Sequence, residues 1–120
     1  QTRTLDFGDR AAPTPEQVHG AVTEPDLHAP GTGLLAMENT HNHRGGVAVA
    51  PDRIDAAAGA AREHGVPVHL DGARLFNACV AHDVAPDRMV ELLTEFCAGT
   101  ADYTANDRTY HNALKEAAKK

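Results

Sequence analysis

The sequence predicts an α/β fold with a mostly parallel sheet. Two short apolar runs carry the prediction, GLLAM at 33–37 and VPVHL at 66–70, each of a length suited to a buried strand. Between them lies an Ala-rich stretch whose apolar residues recur at helical spacing. Strand, helix and strand within so short a span form a βαβ crossover, which makes the two strands parallel. Both faces of such a sheet need cover, so the expected architecture is three-layered.

Residues 1–13 carry no clear period and read as loop, with room for a short strand at the start. Thr14-Pro15-Glu16 reads as a helix start, because Thr14 can cap and Pro15 suits the first helical position. That helix runs to about Val22. Pro25 and Pro30 make the next stretch irregular. After the first strand, ENTHNHRGG at 38–46 is polar and ends in paired glycines, as a loop does. Pro51-Asp52 then opens the crossover helix, residues 52–64, with Ile54, Ala57, Ala58 and Ala61 on one face. It closes at His64-Gly65, where glycine takes the left-handed cap. The second strand leads into HLDGARLFNA at 69–78, where a further helix begins near Ala73. Pro86-Asp87 opens one more, with Met89, Val90, Leu92, Leu93 and Phe96 apolar. After Cys97 the chain turns small and polar, and NALKEAAKK at its end is an exposed helix-former. The expected division is a folded part at 1–97 and a divergent tail at 98–120.

At 120 residues the chain amounts to one small domain. It has no Trp, so its core rests on Ala, Val, Leu and Ile. The net charge of −6 argues against nucleic acid and anionic membrane as partners. No apolar run has membrane-spanning length, and no leader-like segment opens the chain. Its start at Gln1 rather than Met reads as a fragment or a processed product. Cys79 and Cys97 both sit in apolar surroundings, which fits a reduced, cytoplasmic protein.

In open parallel sheets ligands bind outside the carboxyl ends of the strands. Glu38 follows the first strand and Asp71 the second, so both land on one sheet edge. Arg74 stands three residues beyond Asp71, and its planar fork matches a carboxylate bidentately. His41-Asn42-His43 offers two metal-binding imidazoles, but no Cys or acid cluster completes a zinc set, so no metal is expected. His69 reads as a strand-end histidine and Cys79 as core.

LLAMENTHN at 34–42, the Gly45-Gly46 pair, the PDRI helix start at 51–54 and HLDGARLFNA at 69–78 together resemble the threonine aldolase family. That family lies within the wider group of pyridoxal-phosphate β-eliminating lyases. The spacing from His28 to Glu38 is similar as well, and the resemblance covers roughly residues 10–97. It implies part of the large, cofactor-binding domain of a fold-type I pyridoxal-phosphate enzyme. It further implies pyridoxal 5′-phosphate as cofactor, a small amino-acid substrate, a homo-oligomer, and cleavage of a β-hydroxy-α-amino acid such as threonine into glycine and an aldehyde.

The resemblance also assigns roles. Asp71 would hold the cofactor ring nitrogen protonated, which strengthens the electron sink. Its plain alternative is a helix N-cap. Arg74 would bind the substrate carboxylate, the alternative being an ion pair with Asp71 or Glu38. His28 would act as base on the substrate hydroxyl, where an exposed loop histidine is the alternative. Asn39 and His41 would order the cofactor edge, with Asn39 nearest the ring's phenolic oxygen.

The family's covalent cofactor lysine lies some way after the HLDGAR-like arginine, in a Ser-Lys-Gly setting. Here that window, CAGTADYTAND at 97–107, holds none, and the three lysines are Lys115, Lys119 and Lys120. The phosphate cup and a stacking histidine would precede residue 1. The sequence therefore reads as a truncated or inactive member. The alternatives are a non-catalytic remnant serving as a dimerisation module, or another β-eliminating lyase.

Overall fold

The structure, a computed structural model, describes residues 2–91. Its elements are α1 (Pro15–Ala21), β1 (Leu35–Glu38), α2 (Pro51–Glu63), β2 (Val68–Asp71) and α3 (Leu75–His82). Short 3-10 turns occupy Gly8–Arg10 and Asn42–Arg44, and residues 86–91 are helical. The tail expected at 98–120 lies outside the described residues. No strand forms among residues 2–13; the 3-10 turn is the regular structure there.

β1 and β2 pair in parallel with Leu35 opposite Val68 and Glu38 opposite Asp71. The βαβ unit read from the sequence is therefore present. Both strands sit one or two residues later than expected. Pro67 explains part of this: it has no N–H to give, so the ladder opens with Leu35 N–H donating to the Pro67 carbonyl at 2.9 Å. As a consequence Glu38 and Asp71 are the last rungs of the strands rather than the residues after them.

α1 begins with a full capping box. Gln17 N–H donates to Thr14 Oγ1 at 3.3 Å, and Thr14 N–H donates to Gln17 Oε1 at 2.9 Å. The helix lays Val18 against Ala57, Ala60, Ala61 and Val66. The small side chains of α2 let the two helices approach closely. α2 stops where Gly65 turns to φ 67° and Val66 N–H reaches back to the Ala61 carbonyl at 3.0 Å. A second cluster joins Ile54 of α2 to Val49, Leu75, Cys79 and Met89. Arg88 clamps residues 86–91 onto α2 through Asp55 at 2.6 Å and Asp52 at 3.3 Å.

The strands alternate. Leu35, Met37, Val68 and Leu70 pack onto these clusters. Ala36, His69 and Asp71 turn to the other face and are exposed. Among the described residues, then, the sheet has two strands and cover on one face. The three-layer arrangement expected from the sequence is not seen there, because neither further strands nor a second helical layer lie over Ala36 and His69.

Candidate functional site

The last rung of the ladder places two carboxylates side by side at its carboxyl end. Each is held differently. Asp71 is exposed, and its Oδ1 accepts the Ala73 N–H at 3.1 Å, closing a turn through Gly72. It does not cap α3: the N-cap position is Arg74, and no side chain closes that helix start. The helix begins at Leu75 instead of near Ala73 because this turn comes first.

Arg74 points back across the strand ends. Its Nη2 donates to Glu38 Oε1 at 2.9 Å and its Nη1 to Asn42 Oδ1 at 2.8 Å. Glu38 is held a second time, since its Oε2 accepts the Asn42 N–H at 3.1 Å. Of the two ion pairs weighed from the sequence, Arg74 makes the one with Glu38. About a third of each side chain remains open to solvent, 39% for Arg74 and 32% for Glu38. The guanidinium has five N–H donors, so the site keeps cationic donors for an incoming anion. Asn42 was not singled out by sequence reasoning. The signal available was its place in ENTHNH, four residues beyond a carboxylate that needs a loop N–H.

Asn39 lies just past Glu38 and is 1% exposed. Its side chain copies a strand partner: Oδ1 accepts Val49 N–H at 3.0 Å and Nδ2 donates to the Val49 carbonyl at 3.1 Å. Nδ2 also reaches Met89 Sδ at 3.4 Å. The amide thus ties the end of β1 to the segment entering α2, and its donors are engaged there. His41 is half-buried, edge-on to Phe7 with ring centroids 5.5 Å apart. Its backbone N–H donates to the Val47 carbonyl at 2.8 Å, while its ring Nδ1 is buried without a hydrogen-bond partner.

His28 is exposed on the loop between α1 and β1, where its backbone N–H donates to Asp26 Oδ1 at 2.6 Å. No hydrogen bond or ion pair joins its ring to the Glu38–Arg74–Asn42 cluster. The structure therefore sets Glu38 opposite Asp71 and in contact with Arg74, while His28 shares no hydrogen bond or ion pair with them. Cys79 is buried in the core as read, and burial pushes its thiol up. Among the described residues no group of three His, Cys, Asp or Glu side chains could hold a metal ion, and no helix is long and apolar enough to cross a membrane.

Comparison with known proteins agrees with the family that the sequence resembles. The family model for beta-eliminating lyases matches residues 1–105, which carries the likeness past Cys97. The chain is 42% identical over 76 residues to a protein of Arabidopsis thaliana named probable low-specificity L-threonine aldolase 2, covering 62% of this chain and 21% of that protein. It is 36% identical over 72 residues to the low specificity L-threonine aldolase of Escherichia coli K12, covering 60% and 20%. With the low-specificity L-threonine aldolase of Candida albicans the identity is 34% over 86 residues, covering 69% and 20%. The matches thus span about a fifth of the length of these curated relatives. With residues 1–105 of its 120 matched by that family model, the chain belongs to the beta-eliminating lyase family.

Proposed function

We propose that this chain is part of the large domain of a fold-type I pyridoxal-phosphate lyase of the threonine aldolase kind. The reaction is cleavage of a β-hydroxy-α-amino acid, threonine being the type case, to glycine and an aldehyde. The observation that carries the reading is the shared last rung of β1 and β2: it sets Asp71 beside the Glu38–Arg74 pair at the ligand-binding end of a parallel sheet.

The residues present fit one edge of the cofactor. Asp71 is an exposed carboxylate with Oδ1 already oriented by a backbone N–H, which suits it to a protonated ring nitrogen. When bound, pyridoxal phosphate supplies an electron sink for the bond that breaks. Arg74 binds the substrate carboxylate with the donors that Glu38 and Asn42 leave open. His28, on its exposed loop, takes the proton of the substrate hydroxyl. His41 closes the cofactor edge with its ring. Asn39 acts at that edge by holding the end of β1 against Val49. We assign the protein to the cytoplasm as a homo-oligomer. Support for self-association comes from Phe76 and Val80, exposed one turn apart on α3.

A second reading concerns this polypeptide by itself. Every lysine lies at position 115 or beyond, which favours an inactive or remnant chain that binds without turning over. One experiment addresses both. Calorimetric titration of the 120-residue chain with pyridoxal phosphate is expected to show binding that Asp71→Ala weakens, with no acetaldehyde released from threonine. Absence of binding would sink the cofactor reading, and acetaldehyde release would sink the inactive one.

A further inference from the structure

We infer that Glu38 and Asn42 are positioning residues, which hold the Arg74 guanidinium so that its remaining donors meet an amino-acid carboxylate. The inference rests on the function proposed above and adds the residues that orient the substrate. Three contacts close a ring: Arg74 Nη2 to Glu38 Oε1 at 2.9 Å, Arg74 Nη1 to Asn42 Oδ1 at 2.8 Å, and Asn42 N–H to Glu38 Oε2 at 3.1 Å. Every acceptor in the ring is itself fixed. Glu38 sits in the ladder opposite Asp71, and Asn42 opens a 3-10 turn closed by Gly45 N–H on its carbonyl at 3.0 Å.

A free arginine side chain samples many rotamers, and ordering it at the moment of binding opposes affinity. Here the ring has done the ordering in advance. Two of five donors hold the fork in place and three remain for the ligand.

Glu38 also has an opposing effect, because its negative charge repels an incoming carboxylate. The two effects predict opposite signs for Glu38→Gln. Both oxygens of Glu38 are engaged and the residue is partly solvated, so its field is screened while its orienting contacts persist. Orientation therefore wins. Asp71 takes no part in the ring, its turn to Ala73 keeping it clear of Arg74.

The test uses the full 120-residue chain and two stable reduced conjugates, N-phosphopyridoxyl-glycine and N-phosphopyridoxyl-methylamine. They differ only in the carboxylate, so the ratio of their affinities reads recognition of that carboxylate and is not moved by a general loss of structure. The wild-type chain should prefer the glycine conjugate, and Arg74→Ala should abolish the preference. Glu38→Gln and, independently, Asn42→Ala should each lower it on the order of tenfold, as misorientation does, with the methylamine conjugate unaffected. A preference unchanged in both variants, or raised by Glu38→Gln, overturns the positioning role and leaves the proposed function standing. Equal wild-type affinity for the two conjugates overturns the role of Arg74. Failure of either conjugate to bind overturns the proposed function and this inference with it.

Discussion

Glu38 and Asp71 stand opposite each other on the final rung of a parallel ladder, two carboxylates on one face of the sheet. Like charges so placed oppose each other. Arg74 offsets this by pairing with Glu38 at 2.9 Å. Arg74→Ala removes the cation and leaves the carboxylates facing. The expected loss is about 0.5–1.5 kcal/mol, since the pair is partly exposed and each such contact is modest. Glu38→Gln in the Arg74→Ala background should recover part of it. Urea midpoints of the two single variants and the double variant measure the coupling, and simple additivity would show that the pair does not interact.

Asn39 replaces a missing strand partner for Val49, inside the core. Asn39→Ala leaves the Val49 N–H and carbonyl buried and unpaired. At about 1–3 kcal/mol for each unsatisfied group, the loss should be on the order of 2–6 kcal/mol. Equilibrium denaturation reads this directly. A loss below about 1 kcal/mol would mean that water replaces the amide and the site is less enclosed than described.

The α1–α2 contact depends on small side chains. Ala57 is fully buried within the cluster that holds Val18 and Val66. Ala57→Leu should overpack it and cost about 1–3 kcal/mol. An unchanged denaturation midpoint would place that face of α2 away from α1.

The start of α1 should be sensitive to acid. A backbone hydrogen bond, then the Thr14 side chain, hold the Glu16 carboxyl below the usual carboxylate range. A depressed folded-state pKa contributes stability above the unfolded value, and that contribution is lost as pH falls through the folded one. Glu16→Gln should therefore lower stability slightly at neutral pH and leave it nearly unchanged at low pH, so that the acid side of the stability profile flattens. Separately, Thr14→Ala removes the cap and should cost about 1 kcal/mol at neutral pH.

Cys79 should resist thiol reagents. Burial pushes its thiol up, so little thiolate forms near neutrality. Its reaction with an aromatic disulfide should proceed only as fast as the fold opens, and urea should accelerate it. Immediate modification in native buffer would place Cys79 at the surface.

The βαβ order, the parallel pairing and the helix caps at Thr14 and Gly65 were legible in the residues, because they depend on local chemistry and on period. Apolar runs of strand length, an alanine face at helical spacing and a capping threonine each act within a few residues of themselves. The HLDGAR motif that holds Asp71 and Arg74 was legible as a family resemblance, and the roles of the two residues are the proposal made above. What the sequence could not decide was which partner each polar group would choose. Arg74 could have paired with Asp71, three residues away, or with Glu38, distant in sequence; the ladder register brings Glu38 within reach while the turn to Ala73 holds Asp71 apart. Asn39, read at the cofactor edge, is buried against Val49, and Asn42, not singled out at all, holds a guanidinium. The open face bearing Ala36 and His69 was likewise invisible, because cover for a sheet comes from whichever elements fold over it. Local propensity and period set the elements, whereas contacts between residues far apart in sequence, settled only by packing, set the site.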